Sequence, residues 1–335
     1  MLVKRTANIS NMTITNNQFA LAADIGGTNI RAALVDTEGH MTGRGSINTE
    51  PDRGIEDASD RLSQLLNSAK ATAPVDSTIV GIGVSTAGPI RPDTGTYNHP
   101  PNLPGWHDKT MKPQLSASMG FPVWVGHDAT LAALAETRFG DHLGAENLIY
   151  VTISTGVGGG IIANSEMVTG VSGSAGEVGH ISVRTGAYKC NVGCDGCFEG
   201  NASGPAIARI AQDRWSGEGP LAKMANGNPS NITSRMVFDA ADDGDEIAQE
   251  VVELTIENVS IGLGGLINVF NPEALVIGGG VVQGLQRHWD KLRKTVIQRS
   301  LPGYGESVPL TATRLGDDVS LLGAAQLAFR QARRL

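Results

Sequence analysis

The chain has 335 residues, of which 40% are hydrophobic, 18% charged and only 4% aromatic, with 43 glycines. That length is enough for two domains, or for one domain with a large insertion. A formal charge of -8 and a pI near 5.4 argue against a nucleic-acid-binding surface. No apolar run approaches the length of a membrane span, and nucleic acid and membrane are both excluded as expected partners. The first eighteen residues are polar, lack an apolar segment and a cleavage site, and read as a disordered tail, with Met12 an alternative start. Three cysteines, all between Cys190 and Cys197, suit a reducing compartment, so the expected location is the cytoplasm.

In chain order, FALAAD (19–24), IRAALVD (30–36) and MTGRGSIN (41–48) read as three consecutive strands, with glycines in the first turn. A helix is expected from about Ile55 to Ala73, with Leu62, Leu65 and Leu66 on one side. TIVGIGV (78–84) and VWVG (123–126) read as buried strands. Asp128 then opens an Ala/Leu-rich helix, and ENLIYVTI (146–153) is a strand running into a glycine cluster. Residues 170–204 are loop-rich. A long helix from about Asp245 to Phe270 ends before Asn271-Pro272, ALVIGGG (274–280) is a strand with a glycine turn, and residues 320–335 form a last helix. Strands alternating with helices predict an α/β fold.

Four motifs carry chemistry. Asp24-Ile25-Gly26-Gly27-Thr28-Asn29 follows a strand, so its backbone N–H groups and the Thr28 hydroxyl can face a phosphate while Asp24 holds a hydrated Mg²⁺. The alternative is a plain hairpin turn. No Gly-Lys-Ser/Thr occurs, which excludes a Walker A loop. Thr155-Gly156-Val157-Gly158-Gly159-Gly160 repeats the arrangement, and two such turns facing each other could clamp two phosphates; by itself it could be a β-turn.

Asn102 in Asn-Leu-Pro-Gly-Trp both donates and accepts, as a sugar hydroxyl requires. Asp128, between a strand and a helix, is placed either as a simple N-cap or as a carboxylate that takes a hydroxyl proton during phosphoryl transfer. The fourth motif is Glu177-Val178-Gly179-His180 with Cys190, Cys194 and Cys197. Three thiols and a histidine ten residues upstream match a structural Cys₃His zinc site, which would fix Glu177 and Glu199 as acceptors for sugar hydroxyls. Reduced thiols without a metal are the alternative.

These four elements, in this order from about Ala20 to the C-terminal helix, resemble the ROK family of sugar kinases and sugar-responsive repressors. The resemblance implies the two-domain actin-like, hexokinase-like (ribonuclease H-like) fold with an interdomain cleft. Residues 19–127 plus 318–335 would form the small domain, and 128–317 the large domain with its metal-binding loop. It implies that Asp24, Gly26, Gly27, Thr28 and Asn29 approach phosphate and Mg²⁺ from one side, Thr155, Gly156 and Gly158 from the other, and that Gly278, Gly279 and Gly280 lie near the adenosine. Sugar hydroxyls would meet Asn102, Asp128, Glu177, His180 and Glu199, with Asp128 as general base. The zinc ligands would be His180, Cys190, Cys194 and Cys197.

The chain departs from the family pattern at Val192, where a cysteine is usual; Cys194 is expected to replace it. His127 stands where an Asn usually precedes the catalytic Asp, and Thr130 replaces a second Asn. The expected activity is ATP-dependent phosphorylation of a hexose at its 6-hydroxyl, with glucose first and fructose, mannose or an N-acetylated hexosamine as alternatives. Polyphosphate is an alternative donor. A homodimer is implied by resemblance alone. A repressor is disfavoured, because about eighteen residues before the first strand are too few for a helix-turn-helix module.

Overall fold

The computed structural model describes residues 17–335. The expected disordered tail, apart from its last two residues, and the alternative start at Met12 lie outside the described residues. Among the described residues no helix is long and apolar enough to cross a membrane.

The first half is built on β1 (Gln18–Ile25), β2 (Asn29–Asp36), β3 (Met41–Asn48), α1 (Ile55–Lys70) and β4 (Thr78–Thr86). Short strands β5 (Ile90–Arg91) and β6 (Thr96–Tyr97), then α2 (Lys112–Met119), lead to β7 (Val123–His127). Helix α1 buries Ile55, Ala58, Leu62, Leu66 and Ala69, a spacing of three and four that puts them on one stripe. It stops at Lys70, three residues before the expected end, with Glu56 and Asp57 in its first turn and Lys70 in its last, as the helix dipole favours.

The second half begins with α3 (Asp128–Phe139), β8 (Leu148–Ile153), β9 (Val157–Ala163) and β10 (Glu166–Met167). After the loop-rich stretch come α4 (Phe198–Ala202), α5 (Gly204–Asp213), α6 (Gly219–Met224), α7 (Ser234–Asp242) and α8 (Glu246–Phe270). The buried Asp245 carboxylate caps α8 through Ala248 N–H at 3.0 Å and also accepts Leu221 N–H of α6 at 3.0 Å. Helix α8 ends at Asn271, which turns left-handed at φ 43° before Pro272. The chain closes with β11 (Ala274–Gly278), α9 (Val282–Gln286), α10 (Trp289–Arg299), β12 (Leu310–Ala312) and α11 (Val319–Ala332).

Two five-stranded sheets share one plan. Their orders are β3-β2-β1-β4-β7 and β10-β9-β8-β11-β12. In each, the first long strand pairs antiparallel with the next and parallel with a later one across a helical crossover. The turn after the first strand of each sheet is one of the two glycine turns read from the sequence.

Helices α3 and α11 lie between the sheets, in a core seam that takes side chains from both. Glycines allow these layers to approach closely. A Cβ on Gly83 of β4 would lie 1.8 Å from Ala324 O of α11, one on Gly323 of α11 would lie 2.1 Å from Leu131 O of α3, and one on Gly160 of β9 would lie 2.0 Å from Ala129 O of α3. Gly158, Gly159 and Gly160 therefore belong to a strand pressed against α3. The second motif is a turn only at Ser154–Gly156, where Ser154 N donates to Gly156 O at 2.8 Å.

Candidate active site

A cleft of about 620 Å³ opens between the ends of the two sheets. The structure brings Asp24, Gly26, Asn102, Asp128, Thr155, Gly156, Gly158, Glu177, His180 and Glu199 to its walls. Gly27, Thr28 and Asn29 stand in the first turn but not on those walls.

That first turn is closed by Gly26 N–H to Asn29 O at 2.9 Å, and the buried Thr49 hydroxyl donates to Gly26 O at 2.7 Å. A Cβ on Gly27 would meet Asn102 Cβ and O at 3.0 Å, so the bare glycine lets the Asn-Leu-Pro-Gly-Trp loop lie across the turn. Trp106 anchors that loop. It is fully buried, packs edge-on to Tyr97 with ring centroids 5.3 Å apart, and donates through Nε1 to Pro51 O at 3.2 Å.

Asp128 is the first residue of α3, and the N-cap position is His127. The His127 side chain makes no capping bond, and Asp128 takes the N-terminal N–H of the helix instead. Its Oδ1 accepts Ala129 N–H at 2.6 Å and lies 3.3 Å from His127 Nε2.

Asp24 is the other acidic group at the floor. Arg31 binds it through Nη2 at 2.5 Å and Nε at 3.2 Å, both to Oδ2. Burial pushes the Asp24 carboxyl up; Arg31 pulls it down, the charge of Asp128 raises it, and the net shift is upward.

On the opposite wall, Glu199 Oε2 accepts Val157 N–H at 3.0 Å. A Cβ on Gly156 would come within 2.6 Å of that oxygen. Glu199 is thus tied to the second glycine turn as well as facing the cleft.

His180 connects the cleft to the cysteine loop. Its Nε2 lies 3.8 Å from Glu177 Oε2 and its Nδ1 lies 3.8 Å from Cys190 Sγ. Ligand atoms of His180, Cys190 and Cys197 all lie within 4.8 Å of one another. Cys194 falls outside that group, but its thiol interacts with that of Cys190. Val192 lines the cleft and leaves Cys194 as the neighbouring sulfur.

The Cys190 thiol is pushed up by burial but pulled further down by the N–H groups of Val192 and Cys194 and by the other two thiols. Cys194 and Cys197 are raised, by burial first and then by Cys190. Cysteine sulfurs gathered beside an imidazole are a donor set that fits Zn²⁺.

Gly278, Gly279 and Gly280 do not line the main cleft. Gly278 packs on Tyr150, and Gly279, at φ 92°, packs on Ile153 O. Gly280 borders a separate hollow of about 270 Å³ with Ser234, Arg235, Asp239, Gln283 and Arg287. Ser154 of the second turn is 3.9 Å from where a Gly280 Cβ would be, so the hollow adjoins that turn.

The sequence pattern of the ROK family matches residues 20–331. The chain belongs to the ROK family. It is 35% identical over 330 residues to a glucokinase of Halalkalibacterium halodurans, covering 94% of this chain and 96% of the other. The ROK hexokinase of Thermus thermophilus superposes with a TM-score of 0.81 at 31% identity, covering 95% of this chain and all of that one. A ROK glucokinase of Streptomyces griseus, solved with glucose and AMPPNP, gives a TM-score of 0.74 at 31% identity over 93% of this chain and 99% of that one. The two-domain actin-like fold expected from the sequence is the fold of this ROK protein.

Sequence reasoning missed several polar groups on the cleft wall, Arg31, His99 and Ser174 among them. Arg31 was open to detection, since in a tight antiparallel hairpin it must stand opposite Asp24. His99 and Ser174 lie in loops, where no periodicity says which way a side chain points.

Proposed function

We propose that this ROK protein transfers the γ-phosphoryl group of ATP to the 6-hydroxyl of a hexose, glucose first among them. The observation that supports it most is Asp128, a carboxylate in one cleft with both glycine turns and the sugar-type groups Asn102, Glu177 and Glu199.

In this reading Asn102, Glu177, His180 and Glu199 hold the sugar and Asp128 takes the proton of the attacking hydroxyl. A strong base is unnecessary in a loose transition state, where the proton leaves late. The two turns grip the phosphates through backbone N–H groups. Gly280 and its hollow take the adenosine. Hard oxygen donors at Asp24 suit Mg²⁺, which would offset phosphate charge when bound. Zinc at His180, Cys190, Cys194 and Cys197 would lock the loop that carries the sugar-binding histidine. We place the domain boundary at the β7–α3 junction and again before α11, because α11 packs on the first sheet. A homodimer in the cytoplasm completes the proposal.

The test is a coupled assay across glucose, fructose, mannose and N-acetylated hexosamines, with ATP and with polyphosphate. Asp128→Asn should lower kcat by about 10²- to 10⁴-fold and leave glucose affinity within a few-fold. Retention of more than about a tenth of the activity would remove Asp128 from the role of base.

A further inference from the structure

The walls of the cleft carry four carboxylates, Asp24, Asp128, Glu177 and Glu199, but among the described residues only one permanently charged cation, Arg31. Its position is fixed by the β1–β2 ladder, in which Arg31 is the direct partner of Asp24, so both side chains rise on the same face. Two of its three donor nitrogens go to one carboxylate oxygen, Asp24 Oδ2. The third group, Nη1, donates to Asp317 O at 2.9 Å, in the turn just ahead of α11. On its other side Asp24 is paired in the β1–β4 ladder with Ser85, whose buried hydroxyl interacts with the carboxylate.

We propose that Arg31 is a stand-in cation, which holds Asp24 until Mg²⁺ takes that carboxylate and then turns to the phosphate chain of the donor nucleotide. The inference rests on the reading of Asp24 as the metal-facing carboxylate. Mg²⁺ binds oxygen ligands at about 2.0–2.1 Å in a near-ideal octahedron. With the guanidinium on Oδ2 and a divalent ion on the same carboxylate the two cations repel, so the arriving metal loosens Arg31 from Asp24. The triphosphate brings negative charge to the same turn at the same moment, and the planar guanidinium fork matches phosphate oxygens. The Nη1 bond to Asp317 O keeps the group over the cleft during the exchange, so its freed nitrogens face the incoming nucleotide. The rival role, a permanent brace for Asp24, predicts that Arg31 helps the metal to bind.

The two roles differ in sign. Mn²⁺ binding without nucleotide is read from the electron paramagnetic resonance of free Mn²⁺, and AMPPNP binding at saturating Mg²⁺ by calorimetry. The wild-type protein is compared with Arg31→Met, Arg31→Lys and Asp24→Asn. Arg31→Met should bind Mn²⁺ about tenfold more tightly and Mg·AMPPNP about tenfold more weakly, the size of one charge-assisted hydrogen bond in each case. Arg31→Lys, which keeps the charge and preserves the fold if the methionine variant does not, should shift both in the same directions by less. Mn²⁺ binding that is unchanged or weaker in both Arg31 variants, with Asp24→Asn abolishing it, would overturn the role of Arg31 alone. Mn²⁺ binding that survives Asp24→Asn would overturn the reading of Asp24, and the inference with it.

Discussion

Gly160→Ala tests whether the second glycine motif serves the site through packing. A methyl group there would lie 2.0 Å from Ala129 O, 2.6 Å from Ala129 C and 2.8 Å from Thr130 Cα. A carbon–oxygen contact relaxes at about 3.3 Å, so β9 and the first turn of α3 would have to part by more than an ångström. All three obstructing atoms are backbone, so no rotamer change relieves the clash. Overpacking of this kind costs about 1–3 kcal/mol of stability. The displaced turn begins at Asp128, and an ångström of misplacement of a reacting group costs about a hundredfold in rate. The expected result is a folded protein with a lower Tm and a kcat reduced by about two orders of magnitude, read in the coupled assay beside a thermal melt. Gly265→Ala is the control: it sits in helix α8 with nothing within 4 Å of the new methyl and should be neutral or stabilising. A Gly160→Ala protein with kcat within twofold of wild type would refute the packing argument.

Two further outcomes are expected. Glu136, buried in α3 and bonded to the Thr313 hydroxyl, is raised above its ordinary value of 4.5, by burial first and then by Asp141 despite the Thr313 bond. Between the unfolded and the folded value the native state keeps a proton that the unfolded chain releases, so native stability falls as pH rises through that window. Glu136→Gln should therefore raise Tm at about pH 8 and leave it nearly unchanged at about pH 4; equal shifts at both would contradict this. Elemental analysis should find about one equivalent of zinc per chain, and Cys190→Ser should lose it, lower Tm and raise the KM for glucose through His180. Less than about a tenth of an equivalent would reject the metal clip.

Where side chains repeat at a regular period, the sequence was legible. The stripe of α1 and the buried runs of β1, β4 and β8 lie where alternation and spacing put them. Asp24 and Asp128 were legible for a related reason, since each stands at a strand boundary whose turn chemistry is strong. Errors arose where glycine has two uses. In Gly158 and Gly160 the missing side chains serve close packing against α3, and in Gly159 against Val178 and Gly176, while a turn is the commoner reason for a glycine run. The same ambiguity hid Gly323, which carries no turn signal at all. Arg31 carries no motif of its own, and the partner of a carboxylate in such a ladder is a matter of register.

The backbone touch between Gly323 and Leu131 lies only three residues along α3 from Asp128, about 4.5 Å of helix rise. If the halves of the molecule rock about that touch, the lever arm to the Asp128 carboxylate is short. Such a rotation would leave that carboxylate almost still. A side chain placed beside the fulcrum keeps its aim whether the cleft stands open or shut.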